Sequence, residues 1–279
     1  MASGGCLDRQ VCELLILIGL KKAFPTESEM LIPMCGNSYS QTLFKLSHRL
    51  FHMNRLEHAL EATRDAVDFY RQLAADRADA FNPLLASSLH NLFIYLSKLG
   101  HREHALDAIQ EAVGLNRQIA AKRSNVINPN LARSLNSLSL HLFNLGHCER
   151  ALEVIQEAVD LRRQLAAASP AAYNPDLAIS LNNLSCHLSD LGHRERALEV
   201  IQEAVDLLRR LAAAHPAAFN PNLARSLNSL SVHLIDLGHR ERALEMIQEA
   251  VDLRRQLTAA CRLQSRSCNI TQPPLWPSI

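Results

Sequence analysis

Glycine and proline are scarce in this sequence, nine and eleven among 279 residues, while Leu, Ala, Arg and Glu dominate its middle. Ala and Leu enter a helix with little entropic loss, so the composition favours helices. Charge of one sign is lacking too. The 29 Lys and Arg against 28 Asp and Glu leave a formal net charge of +1, which provides no field for drawing in nucleic acid. None of the seven cysteines (Cys6, Cys12, Cys35, Cys148, Cys186, Cys261, Cys268) forms a C-x-x-C pair, and their number is odd. A reduced, cytoplasmic setting follows. The apolar run Leu14 to Ile18 is too short to cross a bilayer. It follows Asp8 and Glu13 rather than a basic segment, and no small-x-small cleavage site succeeds it. Neither a membrane span nor a signal peptide is expected, and the sequon at Asn269 then has no use. There is no G-x-x-x-x-G-K-[ST] loop, no glycine-rich turn after a strand and no H-E-x-x-H. The sequence therefore predicts no enzyme and no cofactor.

What the sequence has is a repeat. Gly100, Gly146, Gly192 and Gly238 recur every 46 residues, and so do Asn82-Pro83, Asn128-Pro129, Asn174-Pro175 and Asn220-Pro221. Between Asn128–Tyr173 and Asn174–Phe219, 35 of 46 residues are identical, which excludes chance. One step upstream the glycine phase falls on Asn54, marking a fifth and more divergent copy. Each copy holds two helical patterns. The first is expected to open at Asn-Pro, with Asn as cap and Pro at the first helical position. Leu131, Leu135, Leu138, Leu142 and Leu145 then recur at helical spacing, as do Leu177, Leu181, Leu184, Leu188 and Leu191. Leu-Gly closes the helix. The second pattern carries Ala151, Leu152, Ile155, Ala158, Val159 and Leu165 on one face. Ala105, Ala151, Ala197 and Ala243 are small enough to let two helices approach closely, and Pro170 and Pro216 are expected to break the chain before the next Asn-Pro.

The run Leu138, Leu142, Gly146, Ala151, Ile155 and Ala158 resembles the tetratricopeptide repeat family in relative spacing. The unit is longer than usual. With Asn-Pro-x-Leu-Ala and Ser-Leu-Asn-x-Leu-Ser it looks like the repeats of kinesin light chains, and more so like the arrays of many fungal tetratricopeptide proteins. The resemblance covers residues 38 to 260 and implies an all-α, right-handed superhelical solenoid of helix-turn-helix repeats with a period of 46 residues. The expected organisation is a leader (1–37), five repeats (38–82, 83–128, 129–174, 175–220, 221–262) and an irregular tail (263–279). The second-helix spacing of Leu60, Thr63 and Ala66, shifted back one period, meets Leu14, Leu17 and Leu20, so residues 9 to 22 read as a degenerate repeat helix.

Stacked repeats rotate slightly and leave a concave groove lined by the first helices. The leucine stripe faces the partner helix, so the opposite stripe is expected to line the groove. It runs through Ser87, His90, Asn91 and Ile94 in the second copy, and through Arg133, Asn136, Ser137, Leu140 and Phe143 in the third. The fourth contributes Ile179, Asn182, Asn183 and Cys186, and the fifth Arg225, Asn228, Ser229 and Val232, with Ile235 beyond. Leu140, Val232, Phe143 and Ile235 are poor choices for a merely solvated face. Asn amides donate and accept at once, so a ladder of them can grip an extended backbone. The partner expected is a peptide or protein segment, not nucleic acid and not a membrane. The Lys and Asn of the chaperone-tail carboxylate clamp are missing, since Leu140, Cys186 and Val232 stand where its Asn would be. The resemblance also allows a second reading, the sensing array of a nucleotide-dependent (STAND-type) switch protein without its motor; a truncated gene product without function is a third.

His101, His147, His193 and His239 follow the helix-ending glycines, and His141, His187 and His233 form a second ladder. Members one repeat apart stand roughly 10 Å from each other, too far to share a metal. His48 and His52 have ligand spacing on a helix but no third ligand nearby in sequence, so no metal is expected. Glu149, Glu153, Glu157 and Asp160 read as a solvated outer face of the second helix. At the C-terminal end Arg266 and Ser267 replace the next Asn-Pro, leaving Leu244, Ile247, Val251 and Leu257 without a following helix. That bare stripe predicts self-association through an uncapped last repeat.

Overall fold

The computed structural model describes residues 43–122 and 127–270. Ten helices fill them, with no strand among the described residues. They are α1 (43–52), α2 (Leu56–Asp76), α3 (Ala78–Lys98), α4 (Arg102–Lys122) and α5 (Pro129–Asn144). There follow α6 (Cys148–Ala168), α7 (Pro170–Asp190), α8 (Arg194–Ala214), α9 (Pro216–Asp236) and α10 (Arg240–Ile270). The chain forms two compact units, divided within α5 after Ser134. In the first, α2 packs on α3 and α3 on α4. In the second, each helix from α6 to α10 packs on the next, and α7 also touches α9. This is the packing of consecutive tetratricopeptide-like hairpins.

The leucine stripe and the alanine face meet as the periodicity predicts. Leu135, Leu142, Leu181 and Leu188 are buried to within 1% of complete, and Ala151, Ile155, Ala158 and Val159 of α6 are wholly so. Burying one such aliphatic side chain contributes about 1.5–3 kcal/mol. The outer faces carry ion pairs between successive second helices: Arg71 to Glu111 at 2.6 Å, Arg163 to Glu203 and Arg209 to Glu249 at 2.7 Å. Being solvent-exposed, each contributes only about 0–1 kcal/mol. The alanine–leucine seam therefore holds the hairpins, and the ion pairs trim them.

Gly100, Gly146, Gly192 and Gly238 adopt φ between +81° and +83°. The Gly146 N–H donates to Phe143 O at 2.9 Å and the His147 N–H to Leu142 O at 2.9 Å, a Schellman closure of α5. Asn54 makes the same closure in the divergent copy, with φ +58° and bonds from its own N–H to Phe51 O and from the Arg55 N–H to Leu50 O. Asn is the side chain that best tolerates this conformation after glycine.

Two boundaries differ from the sequence expectation. Asn-Pro opens a helix only at α5, where the Asn130 N–H donates to Asn128 Oδ1 at 3.0 Å. Elsewhere the helix has begun earlier, and Pro83, Pro175 and Pro221 lie inside α3, α7 and α9. Pro170 and Pro216, expected to break the chain, instead start α7 and α9, where a missing N–H has no cost. An internal proline deprives the carbonyl four residues back of its donor. The residues four back are Asp79, Ala171 and Ala217, all exposed, where such a loss costs little. The second difference is at α10, which continues to Ile270 through the first part of the stretch expected to be irregular from residue 263. Arg262 stands one period after the helix-starting Pro216, and no proline interrupts the chain before Pro273. The leader with its degenerate helix at 9 to 22, the first residues of the first repeat and the tail from 271 lie outside the described residues.

Candidate protein-binding face

The stripe opposite the leucines divides between the two units. Ser87, His90, Asn91 and Ile94 of α3, with Arg133 of α5, belong to the first; the other twelve residues named for the groove belong to the second. In the second unit they share one face of α5, α7 and α9. Leu140 and Val232 are exposed there at 38% and 53%, and Ile235 at 50%. These are three of the five large hydrophobic side chains exposed among the described residues. Arg225 is exposed as well, while Ser137, Ile179, Asn183, Cys186, Asn228 and Ser229 are half-buried. Asp190 and Asp236 stand exposed in the last turns of α7 and α9.

The amide ladder behaves differently from a row of free peptide grips. Asn136 Oδ1 accepts from Ser180 Oγ at 2.8 Å and from Asn183 Nδ2 at 3.1 Å. Asn182, 6% exposed, accepts from Ser226 Oγ at 3.0 Å. Both amide oxygens are thus turned toward the first helix of the following repeat, where they satisfy a buried serine and fix the stacking register. His90 occupies the same repeat position in the first unit and is 6% exposed. Ser180 and Ser226, absent from the sequence reading, are the partners that make this position structural, and Ser134 is their counterpart one repeat earlier. In the first unit Ser134 Oγ receives Asn116 Nδ2 at 3.2 Å instead. Their recurrence every 46 residues was the available signal.

The second histidine ladder is also internal. His187 is 1% exposed and stacks on Phe143 with ring centroids 4.4 Å apart, so Phe143 commits one face of its ring to packing. Phe51 and Tyr95 make the corresponding stack in the first unit at 5.0 Å. His233 Nε2 lies 3.3 Å from Ser185 Oγ. Burial pushes the His187 pKa down to about 4 against a weaker upward pull from Asp190, and lowers that of His233. His90 is likewise pushed to about 4 by burial, with the Arg133 charge adding to it. These imidazoles are neutral packing groups at pH 7. Burial also raises the Cys186 thiol, which keeps it protonated and a poor nucleophile. Cys148 and Cys186 are both free. Among the described residues no three His, Cys, Asp or Glu side chains converge as metal ligands, and no helix is long and apolar enough to cross a membrane. The exposed His48 and His52 lie Nε2 to Nε2 at 3.4 Å, with the Phe51 ring edge-on to His52 at 5.7 Å.

The face is therefore an aliphatic strip beside polar groups. Comparison with known proteins agrees on the architecture. Residues 131–168, 177–217 and 223–258 match the tetratricopeptide repeat family model, and residues 77–132 match that of anaphase-promoting complex subunit 5. No curated protein matches the chain. Among solved structures, BtubC (BKLC) from P. vanneervenii superposes with a TM-score of 0.64 at 16% identity, covering 98% of this chain and 96% of that one. A Podosopora anserina protein with nearly identical TPR-like repeats, of kinesin light chain type, gives 0.60 at 17% identity over 78% and 96%. MamA gives 0.51 at 14% over 86% and 100%. The repeats matched by the family model and the hairpin packing shared with these structures give residues 131–258 the tetratricopeptide-repeat fold, similar to that of a long-repeat protein of kinesin light chain type.

Proposed function

We propose that the chain is a protein–protein interaction scaffold that holds a peptide or protein segment on the α5, α7 and α9 face of its second unit, with no catalytic step of its own. Arrays of this family serve as interaction modules, and the observation that carries the reading here is the strip of exposed Leu140, Val232 and Ile235 on that face. Water-exposed aliphatic side chains grouped on one face are covered at a gain of about 25 cal/mol per Å². Asn228, Ser229 and the Asn183 amide supply polar contacts beside them. Asn136 and Asn182 support the face from beneath, because their oxygens already serve the next repeat. The free thiols of Cys148 and Cys186 suit a cytoplasmic scaffold.

The test replaces Leu140 and Val232 together with Glu in the full chain. Both side chains are exposed, so helicity and melting temperature should stay within experimental error of wild type. Partners captured from native extract by wild type should be lost from the variant. Capture of every partner at wild-type strength would move the contact surface off this face.

A further inference from the structure

We propose that α10 pairs antiparallel with α10 of a second copy of this chain, making an isologous dimer through the end of the second unit. The repeat itself supplies the control. Ile155 and Ile201, and likewise Val159 and Val205, are wholly buried in α6 and α8. Their counterparts Ile247 and Val251 in α10 are only half-buried, and Leu244 is 66% exposed where Leu152 and Leu198 are half-buried. The chemistry of the positions is unchanged; what differs is that α10 runs on to Ile270 where the earlier copies start a new first helix. An aliphatic stripe built to be covered is bare. The outer ion-pair series stops here as well: Arg209 reaches Glu249, whereas Arg255, one period later, turns back to Asp252 of its own helix at 3.4 Å.

The charge along α10 identifies the occupant. From Arg240 to Asp252 the helix carries Glu241, Glu245, Glu249 and Asp252 against two arginines, whereas from Leu253 to Ile270 it carries Arg254, Arg255, Arg262 and Arg266 and no acid. With 31 residues it is also longer than α6 and α8, which have 21 each, and the excess is the basic end. Laid antiparallel on a copy of itself with Ile247 beside the other copy's Val251, the aliphatic stripes meet and Glu241 and Glu245 of each helix come level with Arg254 and Arg255 of the other. Head-to-tail stacking lacks a matching surface among the described residues. In the first unit Leu43, Leu46 and Leu50 of α1 are at most 4% exposed, and Met53 is the sole exposed large hydrophobic among its described residues. An isologous contact also closes on itself at two copies.

The full chain should sediment and scatter as a dimer whose dissociation constant rises with salt, since facing charges are screened. Ile247→Glu with Val251→Glu should yield a monomer of undiminished helicity by circular dichroism. Arg254→Glu with Arg255→Glu should weaken the dimer by about tenfold or more, an effect of the size expected for several exposed ion pairs. Adding Glu241→Arg and Glu245→Arg to that variant should restore it, because swapping both halves re-creates the match only in an antiparallel self-pair. Failure of the swap to restore association would overturn the proposal, as would mass that keeps growing with concentration, the mark of head-to-tail stacking. A wild-type monomer would overturn it too. If Trp276 emission in that monomer were blue-shifted and reddened by Ile247→Glu, the chain's own last residues would be the cover; otherwise the face would belong to a helix of another protein.

Discussion

At the scale of single residues, the helix-closing glycines are the positions where one atom decides. A Cβ added at Gly192 would meet nothing within 4 Å, yet the residue sits at φ +83°. Substitution there is opposed by backbone conformation alone. Gly192→Ala should cost about 1–2 kcal/mol, read as a lower melting temperature, while Gly192→Asn should cost visibly less. The molecule contains the precedent, since Asn54 makes the same closure at φ +58°. Were the two variants equally destabilised, conformation would not be the cause. Both the glycine register and its Asn54 substitute were legible from spacing, because a left-handed residue leaves a compositional mark. The roles of Asn136 and Asn182 were not. An asparagine on a stripe opposite the leucines looks the same in sequence whether its oxygen meets a ligand or Ser180 and Ser226 of the next repeat.

At the scale of elements, each hairpin depends on its alanine. Ala151 and Ala197 are wholly buried where two helices cross, leaving no space for a larger group. Ala151→Phe should destabilise by about 1–3 kcal/mol through overpacking, measured as a shifted denaturation midpoint; a neutral outcome would mean the crossing lies elsewhere. Helix identity and pairing were readable because leucine and alanine periodicities survive unchanged between copies. Helix starts were less so. Asn-Pro carries a strong local cap signal, but Pro170-Ala-Ala upstream offers an equally good first turn and better helix formers, and the longer helix wins because it loses only one bond at an exposed residue.

At the scale of the whole molecule, buried neutral imidazoles couple each unit's stability to pH. His187 and His90 titrate near 4 in the folded chain and near 6.5 when unfolded. Their folded pKa is the lower one, so the unfolded state binds more protons between these values. Stability is fully present above about pH 6.5 and falls as the pH drops toward 4. A shift of that size corresponds to on the order of 3 kcal/mol per site. The groups facing His187 are Asp190, which favours the charged form, and the Phe143 ring, which does not. Burial outweighs the carboxylate, and both ring nitrogens lack a partner. His187→Phe keeps a ring against Phe143 and removes two unsatisfied polar atoms. It should leave stability at pH 7 equal or higher and move the acid-unfolding midpoint, followed by circular dichroism, to lower pH. A midpoint that stays in place would assign the acid sensitivity to His233 or His90 instead.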